Sequence, residues 1–192
     1  MEKVKNILFV GVGGQGIILA SKVLSYALVN AGFDVKMSEV HGMAQRGGSV
    51  TTQVRFGERV SAPIIGKGQA DVMVAFEQME AMRWIDIVKP SGTCIVNDYK
   101  IPSAPILVGQ EIYPEEIINS LKEKLSTITV QAAKKAEELG NIKAQNIVLL
   151  GALVEKMDLG NLKWEEAIKA NVKEKFIDLN IKAFELGRLL VK

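Results

Sequence analysis

The sequence is poor in the residues that most often carry chemistry. Among 192 residues there is one cysteine, Cys94, and one histidine, His41. A [4Fe–4S] cluster usually takes four thiolates, so this chain alone does not supply a set. An internal disulfide and a cysteine-rich zinc site are excluded for the same reason. No Ser/His/Asp or Cys/His arrangement can be read, and no metal-ligand spacing. Cys94 lies in Thr93-Cys94-Ile95-Val96, which reads as a buried strand and makes it an inert core thiol. No apolar run approaches ~20 residues and no signal-peptide apolar region is seen, so a soluble, cytoplasmic chain with no membrane span is expected. There is no long charge block, and 24 basic against 22 acidic residues leave a net charge of +2. Without a basic stripe interleaved with aromatics, nucleic acid binding is not indicated. No internal repeat and no low-complexity linker interrupts the chain.

What the chain does have is glycine in two telling places. Val10-Gly11-Val12-Gly13-Gly14-Gln15-Gly16 follows the apolar run Ile7-Leu8-Phe9. Gly11, Gly13 and Gly16 have the G-x-G-x-x-G spacing of a βα turn that cradles phosphate. There the first glycine makes the turn, the second admits a diphosphate close to the backbone, and the third lets helix pack on strand. An anion is favoured at the helix N-terminus that follows. Such a turn binds a phosphate or diphosphate, or serves only as tight packing beside a partner surface. The second place is His41-Gly42-Met43-Ala44-Gln45-Arg46-Gly47-Gly48-Ser49. Arg46 offers a planar fork for carboxylate or phosphate, and the N–H groups of Gly47, Gly48 and Ser49 suit an anion-binding nest. A binding loop is the favoured reading over a solvated surface loop, because sites sit on loops held by a rigid sheet.

Around these segments the pattern alternates strand and helix. Residues 5–10 read as a buried strand and 15–31 as a helix, with Gly32 as its C′ glycine. Residues 33–39 then read as the second strand of a right-handed βαβ unit. Residues 50–56 alternate as a strand with one buried face, and 71–76 form another apolar strand. A helix is expected over 77–89, a turn at Pro90-Ser91-Gly92 and a strand over 93–97. Tyr113-Pro114-Glu115-Glu116 suits a helix start, with proline in the first turn, acids at the positive dipole end, and Lys122 and Lys124 in the last turn. A last strand is expected over 126–131 and helices over 132–139, 144–157, 163–173 and 176–190. The fold class is therefore α/β, a Rossmann-like, mostly parallel sheet flanked by helices with a helical C-terminal third from about residue 132. With 48% apolar residues there is ample material for a core, and one domain over residues 1–192 is the natural organisation.

The titratable residues near these loops have structural readings. Glu39, at the end of the second strand, stands where an acid binds the ribose of NAD, although an acid there is common. His41 suits a hydrogen-bonded structural or interface role better than proton transfer. Capping or loop ordering suffices for Asp71, Glu77 and Asp98. The segment 146–154 is apolar almost all round if helical, and with Trp164, Ile168, Val172, Phe176, Ile177, Ile181, Phe184 and Leu190 it either covers one face of the sheet or leaves a partner-facing surface.

Taken together, the two glycine segments resemble the gamma domain of the 2-oxoacid:ferredoxin oxidoreductases. Gly11-Val12-Gly13-Gly14-Gln15-Gly16-Ile17 and Ala44-Gln45-Arg46-Gly47-Gly48-Ser49-Val50 carry the resemblance, and Ser61-Ala62-Pro63, Gly68-Gln69-Ala70-Asp71 and Phe76-Glu77 extend it over roughly residues 4–190. His41-Gly42-Met43 ahead of the second segment is similar to the beta subunits of the family's indolepyruvate branch. The resemblance implies a coenzyme A-dependent oxidative decarboxylation of an aryl pyruvate to an arylacetyl-CoA, with electrons passed to ferredoxin. It places thiamine diphosphate and [4Fe–4S] clusters in a large alpha subunit and leaves no catalytic and no metal-ligating residue here. The motif positions Gly11, Gly13, Gly14, Gln15, Gly16, Arg46, Gly47, Gly48 and Ser49 become the candidate cofactor-binding set, toward coenzyme A or the substrate side. The expected partners are the alpha subunit and, through the complex, ferredoxin, with self-association of the isolated chain also in view. Two other readings stay open at this point. One is an NAD(P)-binding protein using Gly11–Gly16 with Glu39 or Arg46, and the other is a non-catalytic assembly or regulatory module.

Overall fold

The computed structural model describes residues 4–42 and 47–192. Lys5–Val12 (β1), Asp34–His41 (β2), Ser49–Gly57 (β3), Ala70–Ala75 (β4), Val88–Asn97 (β5) and Ser126–Val130 (β6) form one sheet in the order β2-β3-β1-β4-β5-β6. The pairs β1–β4, β4–β5 and β5–β6 are parallel, whereas β3 runs antiparallel to both β1 and β2. The sheet is thus mixed, and the crossover from β1 through the helix Ile17–Asn30 (α1) to β2 spans one strand position that β3 fills. The two expected partners of a simple βαβ unit do not touch.

The apolar runs of β1, β4 and β5 are continuous because both faces of the sheet are covered. Ile7, Phe9, Val72, Val74 and Ile95 face α1 and the C-terminal helices. These helices are Ala132–Glu138 (α5), Gln145–Lys156 (α6), Trp164–Asn171 (α7) and Ile177–Leu189 (α8). Leu8, Val10, Met73, Cys94 and Val96 face the other way, towards Gln78–Arg83 (α2) and Ile117–Lys124 (α4), with a single turn at Ala104–Leu107 (α3) before α4. Residues 147–150 and 152–154 of α6 are fully buried, as are Ala167 and Ala183, and Trp164, Ile168 and Phe184 are nearly so. The apolar stretch is therefore consumed as the chain's own cover for the sheet. Of the residues named for a partner face, only Phe176 and Leu190 are exposed.

Two local expectations are corrected. The helix after β4 stops at Arg83, a 3-10 turn covers Ile85–Ile87, and β5 already begins at Val88. Pro90-Ser91-Gly92 is a bulge within that strand, where the register against β4 shifts between Ala70 and Val72. Proline tolerates such a place because it has no N–H to give the ladder, and a Cβ at Gly92 would lie 2.9 Å from Ala70 O. Downstream, Tyr113-Pro114-Glu115 stays outside α4, whose N-cap is Glu116. Tyr113 is held away from the helix by its bonds to α2: its hydroxyl donates to Glu77 and accepts from Met79 N–H.

A candidate anion-facing cleft at the first glycine turn

The C-terminal ends of β1, β4, β5 and β6 lie on one edge of the sheet. Chain connections leave β1 toward β2 and β4 toward β5, so the order reverses between β1 and β4, where α/β proteins place ligands. Here that crevice is closed. Gln15, 7% exposed, accepts from Val12 N–H at 2.7 Å and donates across to Phe76 O at 2.9 Å. A Cβ at Gly11 would lie 2.7 Å from Gln15 Oε1 and 2.8 Å from Phe76 Cβ. Gly11 and Gln15 thus serve the turn from inside. A dinucleotide running over β1 and β4 finds this gap filled.

Gly16 N-caps α1 at φ +81° with no side-chain cap. Its carbonyl accepts from Asn146 Nδ2 at 3.1 Å, and a Cβ at Gly16 would come within 2.5 Å of the same nitrogen. The third glycine therefore seats α1 against α6. Gly13 N–H donates to Gly48 O at 2.8 Å, and Gly47 N–H returns to Gly13 O at 3.3 Å. The structure so brings the two glycine segments together as an extension of the β1–β3 ladder. Gly14 is different: at φ +104° it has no neighbour within 4 Å of a built Cβ.

Gly13, Gly14 and Gly16 line a cleft of about 410 Å³ with Ile17, Ile18, Val50, Glu39 and His41. The N–H groups of Gly14 and Gly16 have no backbone acceptor among the described residues, and α1 carries no acid in its first turn. First-turn amides lack intrahelical partners and carry the positive end of the helix dipole. The cleft is accordingly apolar-walled with an anion-favouring end. Glu39 and His41 stand on its β2 rim, both exposed. Arg46 lies outside the described residues.

Behind the cleft is a buried polar network that composition and spacing did not reveal. Ser49 Oγ donates to Glu80 Oε2, and Glu77 accepts at Oε2 from Glu80 N–H at 2.9 Å as the N-cap of α2. Burial, then the hydrogen bond to Glu77, raise the Tyr113 phenol well above its ordinary range. Asn97, fully buried, accepts from Ala132 N–H at 3.0 Å and donates to Phe76 O and Gln145 Oε1. Asp98 accepts from Gln78 Nε2 at 2.8 Å. Asp71 holds Asn6 N–H at 2.8 Å and the Lys89 ammonium at the opposite edge. Capping and loop ordering describe Asp71, Glu77 and Asp98 well. Ser61-Ala62-Pro63 has a structural role too, since Arg55 donates to Ala62 O at 2.8 Å and pins this loop beneath β3.

The chain is thus a layered α/β domain whose first glycine turn carries an anion-favouring end, with Glu39 and His41 on the rim of its cleft. A family model described as pyruvate ferredoxin/flavodoxin oxidoreductase matches residues 6–190. The indolepyruvate oxidoreductase subunit IorB of Pyrococcus horikoshii is 40% identical over 188 residues, which cover 95% of this chain and 93% of that one. The gamma subunit of a keto/oxoacid ferredoxin oxidoreductase from Geobacter sulfurreducens has a TM-score of 0.72 at 26% identity, covering 97% of this chain and 98% of that chain. A 2-oxoglutarate:ferredoxin oxidoreductase from Magnetococcus marinus, solved with 2-oxoglutarate, coenzyme A and succinyl-CoA bound, shares the fold at a TM-score of 0.75 and 24% identity, over 100% of this chain and 31% of that one. The chain belongs to the pyruvate ferredoxin/flavodoxin oxidoreductase family. It is a gamma-type subunit of a 2-oxoacid:ferredoxin oxidoreductase. Among the described residues no helix is long and apolar enough to cross a membrane.

Proposed function

We propose that residues 1–192 work as one gamma-type domain in a coenzyme A-dependent oxidoreductase for indolepyruvate or a related aryl pyruvate, forming the coenzyme A or substrate side of the site. The observation that carries this is the cleft at Gly13, Gly14 and Gly16, where the Gly14 and Gly16 amides, without a backbone acceptor among the described residues, suit a diphosphate while Ile17, Ile18 and Val50 suit apolar ligand surface. Gly14 and the first-turn amides of α1 face the ligand. Gly11, Gln15, Gly47, Gly48 and Ser49 hold them in place, and Arg46 adds a cation by its side chain. Support for the aryl pyruvate comes from the likeness to the Pyrococcus horikoshii subunit across nearly the whole chain.

The chain does not fit an iron–sulfur cluster of its own. Its sole cysteine, Cys94, is buried in β5, and desolvation pushes its thiol up to about 12, which disfavours the thiolate a cluster needs. Thiamine diphosphate and the clusters belong on a larger, cysteine-rich partner, which also delivers electrons to ferredoxin. The test is reconstitution. The purified chain should not decarboxylate any 2-oxoacid, and mixing with the large subunit should give coenzyme A-dependent ferredoxin reduction with indolepyruvate ahead of pyruvate and 2-oxoglutarate. Turnover by the chain alone, or an assembled enzyme that ignores aryl pyruvates, overturns the proposal.

A further inference from the structure

Ser49 is the point where the second glycine segment enters β3, and its hydroxyl is turned to the face of the sheet that α2 covers. It donates there to Glu80 Oε2. Glu80 is 4% exposed, an uncommon setting for a carboxylate. Its Oε1 accepts from Arg83 Nε at 3.1 Å, and its backbone N–H is held by Glu77 Oε2. Glu77 is itself tied by the Tyr113 hydroxyl and by Ile101 N–H at 3.2 Å. One end of this run of bonds is thus anchored in α2 and the segment after β5, and the other is Ser49. Beyond Ser49, whose register partner is Val12, Gly48 O takes the Gly13 amide. The Arg83 side chain is half exposed, so its ion pair alone contributes little and does not account for burying the carboxylate.

We infer that Glu80 is a positioning residue that acts through Ser49 to fix Gly47 and Gly48 against Gly13, and so sets the amides lining the cleft. The inference rests on the reading of that cleft as the coenzyme A side of the site. Glutamine can replace glutamate here in geometry, its oxygen accepting from Arg83 and its amide donating to Ser49 Oγ. Alanine offers neither bond.

The experiment uses the complex assembled with the large subunit and the variants Glu80→Ala, Glu80→Gln, Ser49→Ala and Gly14→Ala. KM for coenzyme A, kcat and backbone amide exchange at Gly13 and residues 47–52 are measured on each. Loss of a hydrogen bond to a charged group corresponds to about a tenfold rise in KM for coenzyme A in Glu80→Ala, with kcat changed much less. Ser49→Ala, which spares the packing of α2, should show the same rise, and the double variant should be no worse than either alone. Glu80→Gln should return to within about threefold of the parent if both bonds re-form. Exchange at Gly13 should quicken in the alanine variants and recover in Glu80→Gln. Unchanged exchange, or quicker exchange with an unchanged KM, overturns the inference. If Gly14→Ala raises KM and the Glu80 and Ser49 variants do not, the positioning role falls while the coenzyme A reading stands. If none of them raises it, both fall.

Discussion

Gly13 and Gly48 are joined backbone to backbone at 2.8 Å, although they are 35 positions apart along the chain. With Gly47 N–H returning to Gly13 O, the β1–β3 ladder continues past the ends of both strands. The two glycine segments are therefore one structural unit. Gly13 spends its amide on this pairing, which leaves the Gly14 and Gly16 amides as the ones without a backbone acceptor among the described residues of the turn.

Gln15 should prove structural when tested alone. Gln15→Leu leaves Val12 N–H without its acceptor and removes one of two donors to Phe76 O, since Asn97 Nδ2 still reaches that oxygen at 3.2 Å. A buried donor left unpaired costs about 1–3 kcal/mol, and a loss of about 2 kcal/mol is expected in urea denaturation with an unchanged slope. A loss below about 0.5 kcal/mol, the range of an ordinary surface substitution, would mean that the bridge does not hold the β1–α1 turn.

The crossing of α6 on α8 gives a stronger effect. A Cβ at Gly187 would lie 1.9 Å from Val148 O, and one at Gly151 would lie 2.1 Å from Phe184 O. Both contacts are to backbone, so a whole helix must move. Overpacking usually costs about 1–3 kcal/mol, and Gly187→Ala is expected at or beyond the upper end. Gly160→Ala is the control: its Cβ would meet only the end of the Arg188 side chain, 2.9 Å away, which can swing aside. Equal thermal midpoints for these two variants would contradict the close crossing.

Cys94 makes the stability depend on alkaline pH. Its thiol is pushed up to about 12 by burial, whereas the unfolded thiol titrates near its ordinary ~8.5. Above that value the unfolded chain binds fewer protons than the folded one, so stability falls as pH rises and the loss continues until the folded thiol titrates. Relative to Cys94→Ala, which lacks this titration, the parent should lose about 1.4 kcal/mol per pH unit between pH ~9 and ~12. A stability difference independent of pH across that range would show that the thiol is not desolvated in the folded chain.

The strands of the central sheet were legible because both of their faces are buried, which writes the same apolar run into Ile7–Val10, Val72–Phe76 and Cys94–Val96. Helix ends were legible where a residue has one job, as with Gly32, whose φ of +91° is that of a C′ glycine. Pairing was not legible. Nothing local in Val50–Phe56 states that it runs antiparallel between β1 and β2, because an alternating strand reports its buried face and not its neighbours. Pro90 read as a turn because a bulge and a turn call on the same residues. In the site, the glycines were found by spacing, but the roles of Gln15, Ser49 and Glu80 depend on contacts 31 to 61 residues away. Gly151 and Gly187 carried no local signal, since each only makes room for another helix.

Gly14 and Gly32 provide a matched pair for testing the cleft. Their φ values are +104° and +91°, and neither has an atom within 4 Å of a built Cβ. Alanine at either position meets backbone strain and no steric contact, so each substitution should cost a similar ~1–2 kcal/mol of stability. Their surroundings differ in one respect. Gly14 lines the cleft at the N-terminus of α1, and Gly32 follows its other end. A methyl group at Gly14 adds bulk to the lining of the cleft proposed to take coenzyme A, and strain there also turns its own N–H. In the assembled enzyme Gly14→Ala should therefore raise KM for coenzyme A by about tenfold, equivalent to losing one charge-assisted hydrogen bond. Gly32→Ala, equally destabilised, should leave that KM unchanged. The comparison removes stability as an explanation, because the two variants share it. Equal KM values for coenzyme A in both would move the ligand away from the glycine turn and leave that turn as packing alone.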